Sequence, residues 1–141
     1  MSDPALSLDA AGLPFTPVNG QFKLLVYNTT TKLTETHTIN VDLDGLQDDT
    51  SLASLVNQID GIVGVNAQVT ADNRLKLSTE SAETRLAFAD DTSGLLAAIG
   101  INTFFTGSNA ATLSVNDVVA ADGSKFAASS QGIGVNVENA Q

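Results

Sequence analysis

The sequence predicts an α+β domain, mainly antiparallel β-strands and hairpins with two short amphipathic helices packed on the sheet. Three patterns carry that expectation. Leu33, Glu35, His37, Ile39, Val41 and Leu43 alternate with Thr34, Thr36, Thr38, Asn40 and Asp42, and a strict period of two marks a half-buried strand. Leu52, Leu55, Val56 and Ile59 fall at i, i+3, i+4 and i+7, which lines one face of a helix. Between apolar runs stand Asn28-Thr29-Thr30-Thr31-Lys32 and Ala71-Asp72-Asn73, polar clusters of the kind that reverse a chain.

In chain order, residues 1–20 hold all three prolines, Pro4, Pro14 and Pro17, with Gly12 and Gly20. Such frequent punctuation excludes a helix and predicts an extended lead-in. The apolar run at 21–28 and the alternating run from Leu33 should pair as a hairpin across the Asn28–Lys32 turn. A polar stretch at 42–49 then leads into a helix over 51–60, with Thr50 or Asp49 as N-cap and Gly61 as C-cap,. Its apolar stripe needs a sheet face to bury it, one expected to include Ile39, Val41, Val65 and Leu77. Val63, Val65, Ala67 and Val69, followed by Leu75 and Leu77, alternate on either side of a turn in which Asn73 tolerates positive φ, giving a second hairpin,. Residues 85–89, with Leu86 and Phe88 on one face, form a further strand. Asp90, Asp91, Thr92 and Ser93 are helix-capping residue types that open a short helix at 94–99, closed by Gly100,. An extended pair around Leu113 and Val115 follows. The expected division is a lead-in at 1–20, an α+β domain at 21–116, and a weakly patterned C-terminal segment at 117–141 that includes Gly132 and Gly134,.

Composition bounds the chemistry. With 141 residues the chain is of single-domain size, and such a chain buries roughly 68–70% of the surface its unfolded form exposes, so it needs no metal or disulfide to hold a core. The absence of cysteine excludes thiolate catalysis, Cys-ligated zinc and iron–sulfur clusters, and a single histidine excludes a multi-histidine metal site. Six basic against 16 acidic residues leave a net charge of −10, which repels phosphate backbones and anionic lipid; the basic residues are scattered, so neither nucleic acid nor membrane is an expected partner. The N-terminus lacks the basic and apolar regions of a cleaved signal peptide, and no apolar run approaches the ~20 residues needed to span a bilayer.

Four constellations invite a chemical reading. Asp42-Leu43-Asp44-Gly45, with Asp48 and Asp49 behind it, resembles the start of a calcium loop, because hard cations want several oxygens on a tight turn,. An EF-hand beginning at Asp42 needs Gly and Glu where this chain has Gln47 and Ala53,. The loop therefore reads as solvated acid and no metal is assigned. Asp90-Asp91 is the other adjacent carboxylate pair, and its place before a helix gives it a capping role rather than general acid–base work. His37 lies on the apolar face of a strand without a Gly-x-Ser-x-Gly elbow in the chain, which favours a packed or edge histidine over a hydrolase base. Phe104-Phe105 reads as core or a buried corner, or else as an exposed contact surface, and with Tyr27 it supplies the aromatic candidates for a binding patch,. No catalytic residue, cofactor-binding residue or cofactor is expected.

Two stretches resemble the bacterial flagellar hook-associated protein 1 family (FlgK). One is Phe88-Ala-Asp-Asp-Thr-Ser-Gly-Leu-Leu-Ala-Ala-Ile-Gly-Ile-Asn-Thr-Phe-Phe-Thr-Gly-Ser-Asn-Ala110, continuing to Leu113-Ser-Val-Asn116. The other is Gly20-Gln-Phe-Lys-Leu-Leu-Val-Tyr-Asn28, acidic Val41-Asp42-Leu43, the helix at 50–59, and Val69-Thr-Ala-Asp-Asn-Arg-Leu75. Together they cover about residues 20–137. The long heptad-patterned helices that such axial proteins carry at both ends are absent, so the chain looks like an excised middle portion. The resemblance implies an outward-facing structural domain of the hook–filament junction, extracellular, exported by the flagellar route without a cleaved signal and serving motility. It implies partners among other flagellar axial proteins, the hook and the second junction protein, engaged through segments outside this chain, with the isolated fragment monomeric. It carries no catalytic residues. The rival expectation is an extracellular glycan- or surface-binding module.

Overall fold

In a computed structural model, residues 3–46, 48–101, 105–106, 111, 114–115 and 120–121 are described. Among these residues the chain has an α+β fold of antiparallel sheets with two short helices: β1 (Gly20–Asn28), β2 (Thr34–Val41), α1 (Leu52–Asp60), β3 (Val65–Val69), β4 (Leu75–Thr79), β5 (Thr84–Ala89), α2 (Leu95–Ala98), β6 (Phe105–Thr106) and β7 (Ser114–Val115). β1 is the centre of a three-stranded sheet in the order β2-β1-β5, whereas β3–β4 and β6–β7 are separate two-stranded ladders. The extended pair expected around Leu113 and Val115 is present as β6–β7, with Phe105 opposite Val115. Leu113, Phe104, Gly132, Gly134 and nearly all of 117–141 lie outside the described residues.

Backbone parity explains why β1 takes two partners. Asn28 N donates to Leu33 O, which makes the even-numbered residues of β1 the ones hydrogen-bonded to β2 in the register Gly20↔Val41 through Tyr27↔Thr34,. The odd-numbered peptides then point the other way and pair with β5, Lys23↔Ala89 through Asn28↔Thr84. The even side chains Phe22, Leu24 and Val26 face the core. They join Ile39 and Val41 of β2, with Leu86 and Phe88 of β5 packed alongside. Phe22 and Phe88 meet as tilted rings with centroids 6.2 Å apart, within the range where such pairs attract.

The stripe of α1 closes this core. Leu52, Leu55 and Ile59 are fully buried, and they share one apolar cluster with Ile39, Val41, Val65 and Ala67; each buried side chain contributes roughly 1.5–3 kcal/mol. Val56 and Leu77 are only partly buried, packed at the cluster's edge. The stripe meets two sheets rather than the single face anticipated, since α1 contacts both β2 and β3, which belong to different ladders. The cap also differs from expectation. Ser51, not Thr50 or Asp49, is the N-cap: its side chain accepts from Ser54 N at 3.2 Å, while Ser54 Oγ accepts from Ser51 N at 2.9 Å, a reciprocal capping box. Gly61 caps the C-terminus in a right-handed conformation, and the left-handed reversal falls at Gly64, φ +84°. That reversal leaves Val63 outside the strand and exposed.

Residues 3–19 are turns and bends rather than one extended run, tied to the domain by a bridge between Ser7 and Ser51. Leu8 N donates to Thr50 O, Ala53 N to Pro4 O, and Val18 N to Ser93 O. Leu8 and Ala11 are fully buried, so this segment supplies part of the core. The β3–β4 turn behaves as its sequence requires, with Asn73 at φ 55° and Thr70 Oγ1 accepting from Arg74 N at 3.1 Å.

Candidate functional site

The polar groups singled out by the sequence fall in three places. The first is the loop between β2 and α1. Thr50 is buried; its N–H donates to Asp42 O at 2.7 Å and its Oγ1 accepts from Asp42 N at 2.8 Å, so both ends of the loop are clamped together. That closure gathers carboxylate oxygens of Asp42, Asp44 and Asp49 within 4.8 Å of one another, with Asp42 and Asp44 exposed. Asp48, next to them in sequence, sits at φ 71° and is not one of the three. Two of the clustered carboxylates already serve the loop: Asp44 Oδ1 accepts from Leu46 N at 2.9 Å, and Asp49 Oδ1 from Gly45 N at 3.2 Å. Three side-chain ligands on an open surface are half or less of the six to eight oxygens that calcium takes.

The second place is the entry to α2, where the two aspartates divide. Asp91 Oδ1 accepts from Ser93 N at 2.9 Å, Ser93 Oγ at 2.7 Å and Gly94 N at 2.9 Å, and its Oδ2 accepts from Leu96 N at 2.9 Å. One carboxylate thus holds the amides of Ser93, Gly94 and Leu96 at the entry to α2, whose N-cap position is taken by Gly94 in a left-handed conformation rather than by any of the residues 90–93 expected there,. Asp90 does none of this, which corrects the reading of both as caps. It occupies a left-handed conformation, φ 51°, and pairs with Lys23 Nζ at 2.6 Å. Both partners are well exposed, so the pair contributes about 0–1 kcal/mol.

His37 is the third. It stands opposite Leu24, with Nε2 3.6 Å from Glu35 Oε2 and no hydrogen-bond partner for that buried nitrogen. Tyr27, an aromatic candidate for surface contact, is 8% exposed. Phe105 opens β6. In the β3–β4 turn, which the sequence marked only as a reversal, Thr70 Oγ1 donates to Asp72 Oδ1 at 2.6 Å and Arg74 Nε lies 3.0 Å from Asp72 Oδ2. The Thr70 hydroxyl, a backbone amide and the Arg74 charge hold the Asp72 carboxyl below its ordinary value,. Among the described residues, no helix is long and apolar enough to cross a membrane.

No protein-family model matches the chain, and no curated protein matches it.

Proposed function

We propose that this chain is an outward-facing structural domain of a flagellar hook–filament junction protein, part of an extracellular axial assembly. The observation that carries the reading is the stretch from Phe88 onward, where the sequence resembles the hook-associated protein 1 family. Its described residues are committed to architecture: Phe88 packs on Phe22, Asp91 ties down the start of α2, and Leu95 and Leu96 enter the core. A stretch so occupied suits a domain whose work is to keep its shape. The acidic surface, at net charge −10, suits a solvent-facing position and opposes close self-packing. In this reading the domain proper is 21–116, the chain is not an enzyme and holds no cofactor, its axial partners engage other segments of the same protein, and export needs no cleaved signal.

Deleting 21–116 from the full-length protein tests this division of labour. Cells carrying the deletion should still build filaments on their hooks, seen by electron microscopy, because coaxial helical segments would hold the junction together. Hooks left bare despite normal export of the shortened protein would overturn it.

A further inference from the structure

Asn19-Gly20 is the single Asn-Gly step in the chain, and the fold places it at the entry to β1. We infer that it is a deamidation site gated by the β1–β2 ladder. In the reaction, the Gly20 backbone nitrogen gives its proton to solvent base and attacks Asn19 Cγ. A nitrogen–carbon bond forms, the Cγ–Nδ2 bond breaks, and ammonia leaves with the added proton. Water then opens the succinimide at either ring carbonyl, giving aspartate or isoaspartate at position 19. Glycine after asparagine is the fastest context because no side chain shields the attacking nitrogen.

Three features restrain this step in the folded chain. Gly20 stands opposite Val41 in the register, and the parity of β1 turns its N–H toward β2, where it is held in the ladder. Asn19 Oδ1 accepts from Leu43 N at 3.1 Å, which holds the side-chain amide on the acidic loop and restricts its rotation toward the attacking geometry. The neighbouring peptide is fixed as well: Gln21 N donates to Thr92 Oγ1 at 3.0 Å, and Thr92 N donates to Gln21 O at 2.9 Å. The glycine itself cannot be exchanged for safety, since a Cβ at position 20 would stand 2.8 Å from Thr92 Oγ1 and 2.9 Å from Ser93 N. The fold therefore requires the residue that makes the step reactive and suppresses the reaction by pairing it. Reaction needs local opening of this strand end. The isoaspartate product inserts a methylene into the main chain where β1 begins and adds a negative charge beside the acidic loop that Asn19 touches at Leu43 N.

Timed incubation of the whole chain in mildly alkaline buffer, native and in urea, followed by peptide mapping with mass spectrometry and an isoaspartate-specific methylation assay, tests the inference. In urea, position 19 should be the first asparagine modified; in the native chain the same position should react about tenfold or more slowly, in proportion to the rarity of opening. Asn19→Gln should abolish the early signal in urea. Equal native and urea rates would overturn the gating, and earlier modification of another asparagine in urea, or an unchanged signal in Asn19→Gln, would overturn the site.

Discussion

Replacing Asp91 with Ala removes one acceptor group from four donors at once. Those are Ser93 N, Ser93 Oγ, Gly94 N and Leu96 N, at 2.7 to 2.9 Å. Ser93 is 2% exposed, so its groups cannot turn to water instead. A lost helix cap costs about 0.5–2 kcal/mol, and each buried donor left unpaired about 1–3 kcal/mol. These contributions overlap because they share one carboxylate, and part of the loop relaxes. A total of about 2–4 kcal/mol is expected, a large share of a stability of about 5–15 kcal/mol. For a chain of this size that lowers Tm by about 6–14 °C. Circular dichroism melts of Asp91→Ala and Asp90→Ala, run side by side, read the difference. Asp90→Ala loses only an exposed pair with Lys23 and should fall by about 1 kcal/mol or less. Equal melting temperatures for the two variants would refute the part given to Asp91 at the entry to α2.

Three other perturbations have defined outcomes. Leu55→Ala empties a fully buried site and should cost about 2–5 kcal/mol in urea titration, clearly more than Val56→Ala at the edge of the same stripe; the reverse order would misplace α1. Asp72 has its carboxyl held below the ordinary value, first by Thr70, so its contribution is present at neutral pH and disappears as pH falls through the lowered value. Thr70→Val should raise the Asp72 titration midpoint in an NMR pH series, and the stability gap between parent and variant should narrow at strongly acid pH to the part that rests on the lost Thr70–Arg74 backbone bonds; a gap that does not change with pH would refute the pairing. Thermal scans in EDTA and in millimolar calcium should coincide, because a tight site specific to the native state would raise Tm by mass action; a rise of many degrees would make the Asp42, Asp44 and Asp49 group a metal centre.

What was legible in the sequence follows from how far each signal depends on distant residues. Ile39 and Val41 are buried while Thr38 and Asn40 are exposed, because alternation along a strand is a local rule. The stripe of α1 and the positive φ of Asn73 are local in the same sense. Leu8 is different. It is fully buried, yet a lone leucine among prolines and turns carries no period, and it is held there by its backbone bond to Thr50 and the adjoining Ser7–Ser51 bridge. The choice between Asp90 and Asp91 likewise rests on the left-handed turn at Asp90, which either aspartate could adopt by residue type. Two ladders meeting one helix could not be read from alternation, which gives the faces of a strand but not its neighbours. The convergence of Asp42, Asp44 and Asp49 was half visible: the sequence supplied the acids, and the clamp by Thr50 decided which of them meet.

The position proposed for this chain is the outside of the flagellum where hook joins filament. Immunogold labelling of intact flagellated cells that express this chain, with antibody raised against the purified chain, tests it most directly. Gold is expected only in the short zone between hook and filament. Label along the cell body, or flagella bare of gold in cells whose extracts contain the chain, would contradict it.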